Sequence, residues 1–450
     1  MSFLTASKAL REIRAGRLTA RELLESCLAQ IERLEPTLKA WAYRNPEQAR
    51  RMAEDPPAGA LAGIPVGIKD VFNTQDMPTA MGSPIWAGFR PGNDARAVAS
   101  LRQAGAVFPG KTITAELAVH TPGPTANPHN PDYSPGTSSS GSAAAVASGM
   151  VPLALGTQTA GSTLRPASYC GIYGFKPSFG LIPRTGILKT TDTLDTVGLL
   201  TRSAEDLELL FDTVRVHGRN YPLTQQLEDL SRRRAAPSTW RVAWVQGPRW
   251  NDAHPYARQA LQDFSARLGS TANFSVEGKP LPSEFEQAHD LHATLYDKSL
   301  SYYFKQEFKN RTLVSPILKG MIAHGQQISL QQYRQALQRQ AELAASLDRW
   351  FQQGADVLIT LTTAGEAMKG LSTPDRPDTC LIWTLCGNPA VSLPVFTGPN
   401  RMPFGLQAVA RRYEDLNLLR FVRALEQQNL IQEAAPPAHL EVQPLEAQIR

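Results

Sequence analysis

Residues 134–166 read SPGTSSSGSAAAVASGMVPLALGTQTAGSTLRP. Glycine, serine and threonine open and close this stretch, while its middle, 143–155, is apolar and rich in alanine. A flexible linker would stay polar throughout, whereas this pattern predicts a buried helix followed by a buried strand. Small residues also let the backbone approach a ligand, and its N–H groups can then face an oxyanion. The stretch therefore predicts a folded site.

The composition limits the class of protein. The chain has 450 residues, of which 42% are hydrophobic and 19% are charged, as is typical of a soluble globular protein. The net charge of +5 is small for this length, and the one tight basic run, Arg232-Arg233-Arg234, lies in a polar connector, 217–239. A solvated connector explains that run better than a nucleic-acid patch does. We therefore expect no nucleic-acid partner.

Other features indicate the cellular compartment. The N-terminus does not resemble a signal peptide, and no apolar run reaches the ~18 residues that a membrane-spanning helix needs. The cysteines follow no disulfide or zinc-site spacing; they are Cys27, Cys170, Cys380 and Cys386. These features predict a cytoplasmic protein without membrane contact, metal or cofactor.

Helix and strand patterns alternate along most of the chain. Helical spacing is found in 5–15, 20–34, 93–105, 203–216, 256–268, 286–350 and 414–428, and strand patterns in 61–72, 240–246, 356–361 and 391–395. Thr19 with Glu22, and Ser329 with Gln332, form capping-box patterns, and Asp94 is a candidate cap. This alternation predicts an α/β fold with a mixed, largely parallel central sheet surrounded by helices.

The same patterns suggest one domain over 1–430. It would comprise N-terminal helices at about 5–35, a catalytic core at about 60–200 and a helical substrate-side region at about 250–350. The proline-rich, polar segment 431–450 is expected to be a loose C-terminal tail.

A lysine interrupts the apolar strand pattern LAGIPVGIKDVF at 61–72. Burying Lys69 is costly, and a salt bridge or a solvent-exposed strand end would explain it. A neutral lysine can also act as a general base if its pKa falls by ~3.4 units from ~10.4, a shift that burial can produce. Asp70 need not oppose this, because consecutive strand residues point to opposite faces. The residues alone leave both interpretations open.

Two other catalytic or binding motifs are weaker. Gly105–Thr112 matches the phosphate-loop pattern GxxxxGK(S/T), but 106–108 is apolar and Pro109 has no N–H to offer a phosphate. Lys111 is therefore expected at the surface or as a loop anchor, with a turn and a helix following Gly110. A Ser-His-Asp triad also lacks support, because His120 and His129 have no acidic neighbour and there is no GxSxG motif.

The serine-rich stretch resembles the signature of the amidase signature family of serine amidohydrolases. LAGIPVGIKDVF resembles the lysine strand of that family, and further segments follow in the family's order: GKTITAELA, TANPHNP, CGIYGFKPSFG, LDTVGLLTRS, GNPAVSLP and PFGLQAVA. The resemblance extends over roughly 5–428. It implies the amidase signature fold and hydrolysis of a carbon–nitrogen bond.

The resemblance also implies a role for each site residue. Ser162 corresponds to the nucleophile, Ser138 to a bridging serine that follows a cis peptide bond, and Lys69 to the base. An acyl-enzyme would form on Ser162 with release of the amine. The oxyanion would be held by the backbone N–H groups of Thr159, Ala160, Gly161 and Ser162.

The chain departs from the family pattern at several positions. It has GTQTAGS where GTDTGGS is commoner, so that Gln158 replaces an aspartate, and Arg165 lies one position later than usual. Gln158 and Arg165 are expected to hold the loop in shape by hydrogen bonds. Thr137 and Ser140 replace glycines of the commoner GGSSGGS, and Ser139 and Ser140 are expected to be helix caps or backbone ligands. The departures indicate a side branch and argue against the glutamine-transamidating subunit.

The substrate class is less constrained than the reaction. An aryl or alkyl amide is the first expectation, with a carbamate or an ester as the alternative. Ureas and carboxylated amides are less favoured, because no paired arginine site is visible. Candidate substrate contacts are Gly136, Thr137, Trp86, Tyr169 and Trp383, and further aromatic candidates are Tyr296, Tyr302 and Tyr303.

Two other classes of protein stay open. One is a nucleotide-binding protein that uses Gly105–Thr112. The other is a non-catalytic binding module, although the intact set Lys69, Ser138 and Ser162 argues against it. A homodimer is possible by analogy with the family.

Overall fold

A computed structural model describes residues 3–218, 236–310, 312–373, 375–376 and 379–440. Within these ranges, eleven strands form one sheet. The strands are β1 (Trp41–Arg44), β2 (Val66–Lys69), β3 (Gly110–Thr112), β4 (Leu153–Gln158), β5 (Tyr173–Lys176), β6 (Thr196–Thr201), β7 (Trp240–Trp244), β8 (Phe274–Gly278), β9 (Val357–Leu361), β10 (Ala390–Thr397) and β11 (Pro403–Ala410). Their spatial order is β1-β3-β2-β4-β6-β5-β10-β11-β9-β7-β8.

The described ranges contain thirteen α-helices, which surround the sheet. They are α1 (Ala6–Arg14), α2 (Ala20–Leu38), α3 (Pro46–Glu54), α4 (Arg96–Gln103), α5 (Ser140–Ala147), α6 (Leu164–Tyr169), α7 (Ala204–Val214), α8 (Pro255–Gly269), α9 (Ala288–Tyr303), α10 (Pro316–Gln327), α11 (Leu330–Gln352), α12 (Cys380–Leu385) and α13 (Asp415–Gln427). Both predicted capping boxes are present, at the starts of α2 and α11.

The mixed sheet surrounded by helices is confirmed, but parallel pairs do not dominate it. Strand β2 is parallel to β3 and β4, and β7 is parallel to β8 and β9. The other six neighbouring pairs are antiparallel. Alternating helices and strands predicted parallel crossovers. However, β5 to β6 and β10 to β11 are joined without an α-helix and return antiparallel.

The signature stretch folds as predicted into the buried helix α5 followed by strand β4. All eight residues of α5 are buried, and β4 pairs with both β2 and β6. The small side chains therefore let a helix and a central strand pack closely. The loop after β4 lies at the edge of this buried unit.

Two local predictions near the lysine strand were wrong. Residues 110–118 do not form a turn and an α-helix; they form β3 and a short 3-10 helix, Glu116–Ala118. Asp94 does not cap α4, whose N-cap is Ala95. The Asp94 carboxylate instead accepts from Arg102, at 2.8 Å, and from the backbone N–H of Gln75.

Leu4 and residues 431–440, near the two ends of the described chain, pack on the core. The buried Arg202 guanidinium donates to the Leu4 carbonyl at 2.6 Å, and the Arg202 carbonyl accepts from the Ala434 N–H at 2.8 Å. Ile431 and Leu440 are each only 4% exposed. Residues 431–440 are therefore not the loose tail that was expected, because apolar contacts anchor them. Residues 441–450 and the run Arg232–Arg234 lie outside the described residues.

No helix in the described part of the chain is both long and apolar enough to cross a lipid bilayer. The four cysteines are all buried, and none of them forms a disulfide bond.

Candidate active site

Lys69 is the last residue of the central strand β2 and is completely buried. Its Nζ lies 2.7 Å from Ser138 Oγ, 3.0 Å from Ser139 Oγ and 2.7 Å from Thr157 Oγ1. Within the described residues Lys69 makes no ion pair. Burial lowers the pKa of Lys69 well below its usual value, and the negative charge of Asp195 only partly opposes this. The site therefore favours a neutral amine.

The peptide bond between Thr137 and Ser138 is cis, as the family resemblance implied. Gly136 precedes it with φ +83°, and a Cβ there would lie 3.1 Å from Pro166 and from the Tyr169 ring. Glycine is therefore needed for both conformation and space. Ser138 itself is fully buried, with its hydroxyl toward Lys69.

The loop between β4 and α6 carries Ser162. Each of its carbonyl groups is held by a different part of the chain. Side chains from distant helices hold two of them: the Thr159 carbonyl accepts from His292 Nε2 at 2.9 Å, and the Ala160 carbonyl accepts from Thr384 Oγ1 at 2.8 Å. Backbone N–H groups hold the other two. The Gly161 carbonyl accepts from the Arg165 N–H at 2.9 Å, and the Ser162 carbonyl accepts from the Ser139 N–H at 3.1 Å.

These contacts fix the direction of the loop's N–H groups. In a trans peptide the N–H points away from the carbonyl, so each held carbonyl turns the next N–H in the opposite direction. Among the described residues, the N–H groups of Ala160, Gly161 and Ser162 have no acceptor, and neither has the Ser162 hydroxyl. A row of directed, unpaired donors beside a serine is the arrangement that stabilises an oxyanion.

Gln158 connects this loop to its supports. Its side-chain oxygen accepts from the N–H groups of Thr163, at 2.9 Å, and Leu164, at 3.0 Å. Its amide nitrogen donates to Thr384 Oγ1 at 3.0 Å. An aspartate could only accept, whereas the glutamine amide both accepts and donates. The expectation that Gln158 holds the loop by hydrogen bonds is confirmed.

Arg165 also has the expected structural role. Its guanidinium pairs with Asp375 at 3.0 Å, with both side chains more than nine-tenths buried, and donates to the Thr137 carbonyl at 3.2 Å. The same Asp375 oxygen accepts from the N–H and the hydroxyl of Thr137. The other oxygen, Oδ1, is buried without a partner in the described chain. Thr137 is thus held by the protein itself.

Two cavities adjoin the loop. One, of about 200 Å³, contacts Thr157 and Thr159 and contains Asp195, whose carboxylate accepts from the Thr159 hydroxyl at 2.9 Å. The other, of about 480 Å³, contacts Ala160 and lies against helices α9, α10 and α12. A substrate can therefore extend from the loop in either direction.

The aromatic candidates divide between core and cavity. Tyr169 and Trp383, at 2% and 0% exposed, belong to apolar core clusters, and neither lines these two cavities. Trp86 packs edge-on against Phe89, with ring centroids 5.2 Å apart. Only Tyr296, among the six, lines either of the two cavities. Tyr302 is 65% exposed, and the Tyr303 hydroxyl donates to Asp192 at 2.7 Å.

The structure argues against the other motifs. Lys111 is fully buried and pairs with Asp70 at 3.0 Å, so the expected surface position was wrong. The alternative, a loop anchor, agrees with the structure, because the Lys111 amine also donates to the Pro78 carbonyl at 3.1 Å and to Thr79 Oγ1 at 2.8 Å. The Val107 N–H is already bonded to the Ile64 carbonyl, which leaves no phosphate loop in this segment. His129 Nε2 lies 3.0 Å from the Cys170 carbonyl, and His120 lines the larger cavity. Neither histidine is hydrogen-bonded to Ser162 in the described chain.

Several residues of this site gave no signal in the sequence. His292, Thr384 and Asp375 lie far along the chain from Ser162 and match no motif quoted for the site. Ser139, by contrast, was expected to bind the backbone, and its Oγ does accept from the Thr157 N–H at 3.2 Å. In the described ranges no group of three or more histidine, cysteine, aspartate or glutamate side chains is arranged to hold a metal ion.

Comparison with known proteins assigns the family. The family model described as Amidase matches residues 22–419. The chain is 31% identical over 461 residues to AmiD of Mycobacterium bovis, with 94% of each chain covered. It is 29% identical over 475 residues to a glutamyl-tRNA(Gln) amidotransferase subunit of Bacillus mycoides, covering 94% of this chain and 96% of that one.

The solved structure of 6-aminohexanoate cyclic dimer hydrolase with its substrate has the same fold. Its TM-score is 0.84 at 25% identity, and the match covers 98% of this chain and 100% of that one. The fold is thus shared with a hydrolase. The chain belongs to the amidase signature family, and it is an amidase.

Proposed function

We propose that this protein hydrolyses an aryl or alkyl amide through an acyl-enzyme on Ser162, with Ser138 passing the proton to neutral Lys69. One observation carries the proposal: the buried Lys69 amine lies 2.7 Å from the Ser138 hydroxyl and makes no ion pair within the described residues. An amine in such a place is neutral and can accept a proton.

The three hydroxyls around Lys69 match a neutral amine. Such an amine has two N–H donors and one lone pair. Ser139 Oγ lies 3.3 Å from the Thr157 carbonyl and can give it the hydroxyl proton. It is then free to accept from Lys69. With Thr157 Oγ1 taking the second N–H, the lone pair is left for the proton of Ser138.

The steps follow from this arrangement. Ser162 Oγ attacks the amide carbon while its proton moves to Ser138 Oγ, and the Ser138 proton moves to Lys69. The negative oxygen forms beside the N–H groups of Thr159, Ala160, Gly161 and Ser162, of which the last three have no acceptor among the described residues. The carbon–nitrogen bond then breaks, and the amine leaves with the proton returned through Ser138. Water attacks the acyl-enzyme by the same route and releases the acid.

The proposed groups can supply a large rate acceleration. Positioned proton transfer contributes about 10²–10⁴-fold. Each oxyanion donor contributes about 10²–10³-fold in known cases. Both effects depend on geometry that the protein holds before substrate binds, because the carbonyls of the loop are already bonded.

The first experiment measures the intact mass after brief incubation with a phenyl phosphonofluoridate. The Ser162 oxygen would displace fluoride, which leaves as HF, to form an oxygen–phosphorus bond. We expect one adduct on the wild type and none on Ser162→Ala. Ser148→Ala is the matched control, because Ser148 is also buried but its hydroxyl bonds only to carbonyls of α5. Circular dichroism verifies that each variant is folded.

An adduct that persists in Ser162→Ala would contradict the proposed nucleophile. The absence of an adduct on folded wild type would favour the non-catalytic module instead. A panel of matched amides, carbamates and esters then ranks the substrate classes. The homodimer and the cytoplasmic location stay predictions, to be measured by light scattering and by cell fractionation.

A further inference from the structure

We propose that the larger cavity accepts amides that carry a carboxylate at the end remote from the scissile bond, and that Arg249 and Arg376 bind this carboxylate. The inference rests on the proposed function, since it names the substrate class of the same site. Neither arginine belongs to the segments that resemble the family signature.

The cavity joins the reacting loop to solvent. At its inner end it contacts Ala160, whose carbonyl is held by Thr384. Its walls are mainly apolar and include Ala293, Ile317, Met321 and Leu381. Other side chains that line the cavity are those of His120, His289, His292 and Tyr296. A volume of about 480 Å³ is enough for a short chain or a ring between two polar ends.

The charges at the inner end are already compensated. Arg165 is paired with Asp375, and both side chains are buried. Asp297 is hydrogen-bonded to His324 at 2.7 Å. The unpartnered Oδ1 of Asp375 would repel an anion at this end. A negatively charged substrate group is therefore disfavoured next to Asp375, at the end of the cavity beside the loop.

The positive charges farther out, on Arg376 and Arg249, are compensated less completely. Arg376 is exposed, and its guanidinium donates to His254 Nε2 at 2.6 Å. Because a guanidinium cannot accept, the imidazole must accept and is neutral. Burial lowers the pKa of His254 and the negative charge of Glu366 opposes this, but the Glu366 carboxylate accepts a hydrogen bond from the Asn400 N–H at 3.2 Å. Arg376 makes no ion pair in the described parts of the chain.

Arg249 is the second cation of the rim. Its contact with Asp252 is 3.4 Å long, and both side chains are about half exposed, at 40% and 47%. Exposed pairs of this kind contribute little and exchange readily. Arg249 can therefore turn from Asp252 to a ligand. Two guanidinium groups at the rim can bind one carboxylate through several charge-assisted hydrogen bonds.

The uneven distribution of charge also fixes the direction of binding. The amide carbonyl lies at the loop, the apolar part along the walls, and the carboxylate at Arg249 and Arg376. No paired arginine site was visible in the sequence, because the two residues are far apart in the chain. The fold brings them to one cavity.

The test compares two series of anilides. One series consists of monoanilides of dicarboxylic acids from succinate to suberate, and the other of anilides of monocarboxylic acids of equal chain length. The readout is the ratio of kcat/KM between matched members. We expect kcat/KM to be about tenfold to a hundredfold higher for the carboxylated member at one chain length, because hydrogen bonds to charged groups contribute free energies of this size. The ratio should fall when salt is added, because salt screens exposed charges.

Variants identify the residues responsible. Arg376→Gln and Arg249→Gln should each lower the ratio by about tenfold. Arg334→Gln, an exposed arginine on α11 outside this cavity, should leave the ratio as in the wild type. A wild-type ratio near one at every length, or a ratio that survives both rim variants, would overturn the inference.

A binding measurement separates this inference from the proposed function. Calorimetry measures the Kd of glutarate or adipate monoanilide and of the neutral anilide of equal chain length. The measurement is made on Ser162→Ala and on the double variant Ser162→Ala with Arg376→Gln. Tighter binding of the carboxylated member, lost with Arg376, supports the subsite even if no anilide is hydrolysed. Equal binding of the two members overturns it even if hydrolysis is observed.

Discussion

Lys69 and Lys111 are both fully buried, and they lie on neighbouring parallel strands. Lys111 pairs in register with Ile68, one residue before Lys69, so the two side chains point to opposite faces of the sheet. Lys111 contacts the Asp70 carboxylate at 3.0 Å. Lys69 contacts three hydroxyls and, within the described residues, no carboxylate.

The difference shows that burial alone does not make a base. Burial lowers the pKa of both lysines. At Lys111, the Asp70 charge opposes that effect from hydrogen-bond distance, and the lysine serves as a structural cation. At Lys69 the opposing charge among the described residues is that of Asp195, which is not in contact, so burial prevails and favours a neutral amine next to the Ser138 hydroxyl.

The largest expected effect comes from removing the proposed base. Lys69→Ala should lower kcat/KM by about 10²–10⁴-fold, the usual contribution of proton transfer. It should also slow labelling of Ser162 by the phosphonofluoridate. Steady-state kinetics and intact mass measure both effects. Labelling at the wild-type rate would show that Ser162 is activated by another group.

The corresponding change at Lys111 should affect stability instead. Lys111→Met leaves Asp70 buried without its partner, which typically costs about 3–5 kcal/mol of the free energy of unfolding. Urea denaturation measures this loss. Lys111→Met with Asp70→Asn is the matched control, and it should recover part of the loss. If Lys111→Met were as stable as wild type, the pair would not be structural.

A third change makes Lys69 resemble Lys111. Thr157→Asp places a carboxylate beside the Lys69 amine, and a neighbouring opposite charge raises a lysine pKa by about 1–3 units. The neutral fraction at pH 7 then falls, so activity drops there and returns as the pH is raised.

The pH dependence of kcat/KM measures this change. In the wild type, activity should rise with pH through the lowered pKa of Lys69 and reach a plateau well below pH 10.5. In Thr157→Asp the rising limb should move to higher pH, and in Thr157→Asn it should not. An unchanged limb in the aspartate variant would contradict the role of Lys69.

His292 extends the comparison to a group that is buried and neutral but is not a base. Burial lowers its pKa to about 4. In the unfolded chain the imidazole of His292 binds a proton near pH 6.5, whereas in the folded protein it stays neutral down to a lower pH. The neutral, buried His292 therefore contributes fully to stability above pH 6.5. That contribution is lost as the pH falls toward 4, by at most about 3 kcal/mol. His292→Gln should flatten this part of the stability curve, which urea denaturation at several pH values measures. A slope equal to that of wild type would contradict the assignment.

Part of this site could be predicted from local sequence. Lys69 stands out because a charge interrupts an apolar strand pattern, and the small residues around Ser138 and Ser162 suggested a close approach of backbone to ligand. The same reasoning was less specific at Lys111, which was expected at the surface or as a loop anchor and is a buried lysine that anchors the loop at 78–79. Its partner Asp70 directly follows the neighbouring strand, and strand pairing cannot be read from either segment alone.

The long-range contacts explain the remaining failures. The supports of the loop, His292 and Thr384, come from helices that share no local pattern with it. Arg249 and Arg376 likewise meet only in the folded chain. The direction of the sheet pairs depends on which strands return without a crossover helix, and this was not apparent from the alternation of helix and strand.

The way in which the Ser162 loop is held has a consequence for synthesis on the ribosome. Two of its four carbonyl contacts come from His292 and Thr384, which are translated long after Ser162. Until those residues have emerged and packed, the carbonyl groups of Thr159 and Ala160 lack these two hydrogen bonds. We therefore expect a nascent chain that already contains the proposed set of Lys69, Ser138 and Ser162 to be inactive, and activity to begin only when the fold is nearly complete.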